Sequence, residues 1–207
     1  MIGNTLRNIV FACAVIGVFT PVPQSTTPAS SSRVNPIAGT IVLTVDPAQS
    51  IVHWSLESSL HTVHGTFHVK RGSLSVDPAT GKATGEIVVD ATSGESGNGS
   101  RDHRMHKEIL ETARYSEVVF RPDHVDGAIT SQGNSDLKMH GIFTLHGDDH
   151  EFTAPAQAQL SGNEWKGSTT FTVPYLEWKL KNPNNFLLKV KPTVEVHVDL
   201  VGSVARR

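Results

Sequence analysis

Cysteine is all but absent from this 207-residue chain: its one thiol, Cys13, falls inside an N-terminal apolar run. Once that run is removed, no disulfide, no thiolate nucleophile and no cysteine metal ligand remains. Positive charge is not in excess either, since 18 Lys and Arg face 20 Asp and Glu for a formal net charge of −2. Without a basic stripe, neither a nucleic-acid backbone nor an anionic membrane surface has anything to bind. Long apolar runs are missing too: Ile9–Phe19 (IVFACAVIGVF) falls well short of the roughly 20 apolar residues that span a bilayer. No fixed-period repeat supports a solenoid or propeller. The loops of nucleotide and hydrolase chemistry are also lacking, with no G-x-G-x-x-G, no Walker pattern and no G-x-S-x-G elbow.

What is present begins with Arg7, the short apolar run and then small polar residues, which together read as an export signal over residues 1–25. The expected destination is the periplasm or the outside of the cell. No clean A-x-A box follows the run, so an uncleaved anchor stays open, as does lipid attachment at Cys13. Residues 26–39 are rich in Pro, Ser and Thr and cannot bury enough surface to offset their ordering entropy, so they read as a flexible tether. Residues 40–204 form the one domain that this length allows.

That domain is written with a period of two. Val52, Trp54 and Leu56 alternate with His53, Ser55 and Glu57, and Val63, Gly65, Phe67 and Val69 alternate with polar neighbours. The pattern returns at Val118 and Phe120, at Met139, Gly141, Phe143 and Leu145, at Thr169, Phe171 and Val173, and at Val194, Val196, Val198 and Leu200. Turn chemistry separates the runs at Asp77-Pro78-Ala79-Thr80-Gly81, Asp126-Gly127, Gly147-Asp148 and Ser161-Gly162-Asn163. One stretch departs from it. Arg101–Thr112 places Met105, Ile109 and Leu110 on a helical stripe, predicting a short amphipathic helix with Ser100 or Asp102 as N-cap.

A long antiparallel meander with one apolar face must hide both the face and its edges, and closure into a barrel does both. The expectation is therefore an all-β fold: an extended antiparallel β-barrel of about eight strands with one short helix, wide enough to hold a single apolar ligand. A β-sandwich with a filled core is the competing architecture.

Five motifs, in order between about Val45 and Gly202, resemble the YceI-like family of lipid- or polyisoprenoid-binding proteins. Asp46-Pro47-Ala48-Gln49-Ser50-Ile51-Val52-His53-Trp54 is similar to the family's opening D-P-x-H-S-x-V-x-F, and Val63-His64-Gly65-Thr66-Phe67 to its V-x-G-x-F. Asn98-Gly99-Ser100-Arg101-Asp102 followed by Met105 resembles N-x-x-R-D-x-H-L. Tyr115–Phe120 resembles Y-P-x-I-x-F, and His140–Gly147 resembles G-x-L-T-x-x-G. Gln49 stands for the usual His, Ser116 for the usual Pro, and Trp178-Lys179 for an aromatic followed by Gly. The resemblance implies a lipocalin-like barrel with an isoprenoid lipid, polyprenyl or quinone-like, in its tunnel, export to the periplasm, and a homodimer in many members.

On this reading the tunnel wall comprises Trp54, Leu56, Phe67, Phe120, Phe143, Phe171, Val196 and Val198, with Met105, Ile109 and Leu110 as a helical lid. Lys70, Glu117, Glu195 and Asp199 belong outside. No catalytic residue, cofactor or metal is expected, and the function is sequestration or transport without covalent chemistry. The eleven histidines invite a metal reading, but His64 and His68 on one strand lie about 13 Å apart, and His103 with His106 lacks a third ligand. A small His-based metalloprotein and a stress-related interaction module without ligand are the alternatives.

Overall fold

The computed structural model describes residues 39–131, 133–184 and 189–207. The export signal expected over 1–25 and all of the 26–39 tether except Gly39 lie outside them.

Among the described residues, nine antiparallel strands close on themselves: β1 Ile41–Val45, β2 Ile51–Glu57, β3 Thr62–Val76, β4 Ala83–Glu95, β5 Glu117–Asp126, β6 Gly133–Leu145, β7 Asp148–Ser161, β8 Glu164–Val173 and β9 Val194–Arg206. Neighbours in sequence are neighbours in space from β2 to β9, and β9 returns to pair with β2. The short β1 and β2 both lie between β3 and β9, at opposite ends of those longer strands, so the nine strands fill eight positions of a closed barrel. The fold expected from alternation is the one observed, and the sandwich is not.

The β1–β2 corner explains the opening motif. The Asp46 carboxylate accepts from the Ala48 N–H at 2.9 Å and from Gln49 Nε2 at 2.7 Å. These bonds to the charged form, the one from Gln49 foremost, hold its pKa below the ordinary carboxylate value. Buried Ser50 then replaces a rung of the ladder by accepting from the Val201 N–H at 3.0 Å. Gln49 thus does local work where the family usually has His.

The long strands depart from strict alternation where bulges re-aim the chain. In β3 the register slips between Val69 and Arg71, so Lys70 and Arg71 both reach the outside and the inward parity passes from Phe67 and Val69 to Leu74 and Val76. Glu117 takes both cations, at 2.9 Å from Lys70 and 3.0 Å from Arg71, and is held ionised by them. In β7, Pro155 has no N–H for a ladder. Pairing of β7 with β8 stops at Gln157–Ser168, and above that point the Thr169 hydroxyl donates to the Pro155 carbonyl at 2.6 Å.

The helical segment is shorter and differently capped than expected. The α-helix α1 covers Gly99–Arg104, and its N-cap is Asn98, whose side chain accepts from the Arg101 N–H at 3.1 Å. Ser100 and Asp102 do not cap. A π-helical turn follows over Met105–Ile109 and closes with the Leu110 N–H on the Met105 carbonyl. This wider turn brings residues five apart onto one face, which is how Met105 and Leu110 both reach the interior. Thr112, expected as the last helical residue, lies beyond it.

Candidate functional site

Inward parity decides what the barrel encloses. Two adjoining cavities run along it, one of about 330 Å³ at the helix end and one of about 140 Å³ toward the other end. Val89, Val118, Phe143, Phe171 and Val198 line both, so the two adjoin, as upper and lower parts, along a shared apolar wall. At the far end Ile41, Leu160, Trp165 and Val204 pack in one buried cluster. Trp165 Nε1 donates to the Thr44 carbonyl at 3.2 Å, which fixes that ring in place at the foot.

Each residue named from the sequence can be located. Trp54, Leu56, Phe67 and Val196 line the upper cavity, Phe120 lines the lower one, and Phe143, Phe171 and Val198 line both. Met105, Ile109 and Leu110 cover the upper cavity from the π-turn. Lys70, Glu117, Glu195 and Asp199 line neither. The aromatic residues form a connected set: Phe143 lies 5.4 Å from Phe152, 6.0 Å from Phe171 and 5.6 Å from Trp178 between ring centroids, and Trp178 stacks on His150 at 4.0 Å. Lys179, beside it, sits at φ +64, the left-handed conformation that suits the Gly usual in the family.

Several wall residues were not among those expected. Phe152, Ala154, Ala156, Ala158 and Leu160 alternate along β7, and Ala154, Ala156 and Ala158 leave the lower cavity room that Leu or Phe would fill. Their signal, alternation of small residues in Thr153-Ala154-Pro155-Ala156-Gln157-Ala158, is weak because alanine is depleted in strands. Tyr175 lines the upper cavity from beyond β8, donating from its hydroxyl to the Lys191 carbonyl at 2.8 Å; burial pushes its pKa up.

The two parts differ in polarity. Among the described residues, no ionisable side chain lines the lower cavity. The upper one opens beside Ser58, His61, Arg101, Arg104 and Pro183. The helix histidines do not form a metal centre: His106 Nε2 bonds the Gly94 carbonyl at 2.8 Å, its Nδ1 faces Thr112 Oγ1 at 3.4 Å, and His103 is exposed. Among the described residues no three His, Cys, Asp or Glu side chains converge as a metal site requires.

A YceI-like domain model matches residues 43–202. Among solved structures, BcnA of Burkholderia cenocepacia superimposes with a TM-score of 0.63 at 16% identity, over 76% of this chain and 99% of that one. A polyisoprenoid binding domain from Saccharophagus degradans, implicated in plant cell wall breakdown, gives 0.63 at 19% identity, over 79% and 98%. The Campylobacter jejuni YCEI protein gives 0.51 at 13% identity, over 64% and 79%. At these identities the likeness is one of fold. No curated protein matches the sequence.

Proposed function

The chain belongs to the YceI-like domain family, and from that premise we propose that it is an exported, non-catalytic carrier that holds a long isoprenoid chain, polyprenyl or quinone-like, inside its barrel. The observation that carries this reading is the apolar wall that the two adjoining cavities share: Phe143 and Phe171 border both, and among the described residues no charged side chain lines the lower one. Each CH₂ moved from water into such a space contributes about 0.8 kcal/mol, so a long tail supplies affinity with few polar contacts. The polyisoprenoid binding named for the Saccharophagus degradans neighbour supports the same ligand class. Export to the periplasm fits the leader over residues 1–25, and homodimerisation is part of the proposal.

Titration of delipidated protein with geranylgeraniol tests it. Trp54 and Trp165 line the cavities and Trp178 borders Phe143, so intrinsic fluorescence should change and saturate at one lipid per chain. No change at any concentration below lipid aggregation would reject the carrier reading. N-terminal sequencing of the exported protein tests the leader, and an intact Met1 in cytosolic protein would reject export.

A further inference from the structure

We infer that the ligand carries an anionic headgroup, a phosphate or a carboxylate, received at the mouth by Arg101 and Arg104; this rests on the reading of the barrel as a lipid carrier. The tunnel is polarised along its length. Among the described residues, its foot is packed by buried Trp165 and has no ionisable wall residue, whereas its mouth is lined by two arginines and His61 and by no carboxylate. A polar head buried at the foot would lose its hydration without a partner, so an amphiphile enters tail first and leaves its head beside the arginines.

The protein compensates the charge there only in part. No Asp or Glu lies within ion-pair distance of Arg101 among the described residues: its guanidinium donates from Nε to Ser96 Oγ at 2.7 Å and from Nη2 to the Ser96 carbonyl at 2.8 Å. Those bonds take two of the five donors in the fork. Asp102 turns to the Ser96 hydroxyl and does not line the cavity. Arg104 reaches Glu108 at 3.6 Å, but Glu108 also takes Lys181 at 2.9 Å, so one carboxylate stands between two cations. Helix capping does not explain Arg101, because Asn98 performs it. Guanidinium groups bind phosphate and carboxylate oxygens through paired N–H donors, and these partners match what the mouth offers.

Three ligands with the same tail separate the outcomes: geranylgeraniol, geranylgeranyl phosphate and geranylgeranoic acid, titrated into delipidated full-length exported protein. Wild type should bind one or both anions about tenfold or more tighter than the alcohol, and the preference should shrink with added salt. Preference for the phosphate alone assigns that headgroup, and preference for the acid alone assigns a carboxylate. The anion-to-alcohol ratio should fall toward one in Arg101→Gln and Arg104→Gln, survive in Arg101→Lys, and be unchanged in the outer-face control Arg121→Gln. Equal binding of all three by wild type overturns the headgroup inference and leaves the carrier reading intact, and so needs no variant to fold. A preference retained in both Gln variants overturns the assignment to these arginines. Binding of none of the three overturns the carrier reading beneath it.

Discussion

The indole of Trp54 lies over Gly65, its directly paired neighbour on β3, in the space that any side chain at Gly65 would occupy. A Cβ there would overlap both the indole and the Glu95 carbonyl oxygen. Gly65→Ala should therefore displace Trp54 from the upper cavity wall and cost about 1–3 kcal/mol, the range for overpacking. Urea unfolding with fluorescence detection checks this; an unchanged midpoint and an unchanged emission maximum would contradict it.

Phe143 borders both cavities. In a filled core its removal would cost roughly 3–5 kcal/mol, because a new void adds to the lost transfer energy. Here the void already exists, so Phe143→Ala should cost nearer the transfer contribution alone, about 1.5–3 kcal/mol. It should also weaken retention of the lipid. Denaturant unfolding of the delipidated protein gives the first quantity and a lipid titration the second.

Ala156 lines the lower cavity from β7. Filling that space should leave the fold as stable as before or raise its stability by about 0.5–2 kcal/mol, as cavity filling commonly does, while blocking the tail. Ala156→Phe with higher melting temperature and lost lipid is the expected pair of results. Retained lipid at full stoichiometry would mean that the tail does not reach this depth.

The barrel itself was legible in the sequence because alternation is a local signal: Val52, Trp54 and Leu56 on β2 and Val194, Val196 and Val198 on β9 show their parity without reference to any other strand. What was hidden depended on partners distant in the chain. The bulge that turns both Lys70 and Arg71 outward is answered by Glu117 on β5. The π-turn that aligns Met105 with Leu110 breaks the 3.6-residue period on which the helix was read. Ala154 and Ala156 matter by the space they leave, which composition does not reveal. Arg104 gains its place at the mouth through the packing of the helix against β4, where His106 bonds the Gly94 carbonyl.

His140 Nδ1 lies 2.7 Å from Asp123 Oδ1 on the outer face, and this hydrogen bond raises the imidazole pKa above its ordinary value near 6.5. A raised folded-state pKa means that the pair's stabilisation is complete below the ordinary value and disappears as pH climbs through the raised one. Both side chains are exposed, so the effect on stability is small. The titration of the His140 ring by NMR should move down toward the ordinary value in Asp123→Asn. An identical midpoint in the two proteins would refute the pairing.

Lipid extraction from protein purified from its native host without detergent, followed by mass spectrometry, tests the central claim most directly. One long isoprenoid per chain is expected, removed by organic solvent and absent from Ala156→Phe prepared in the same way. Wild-type protein that carries no lipid, together with a full packed-core penalty for Phe143→Ala, would contradict it.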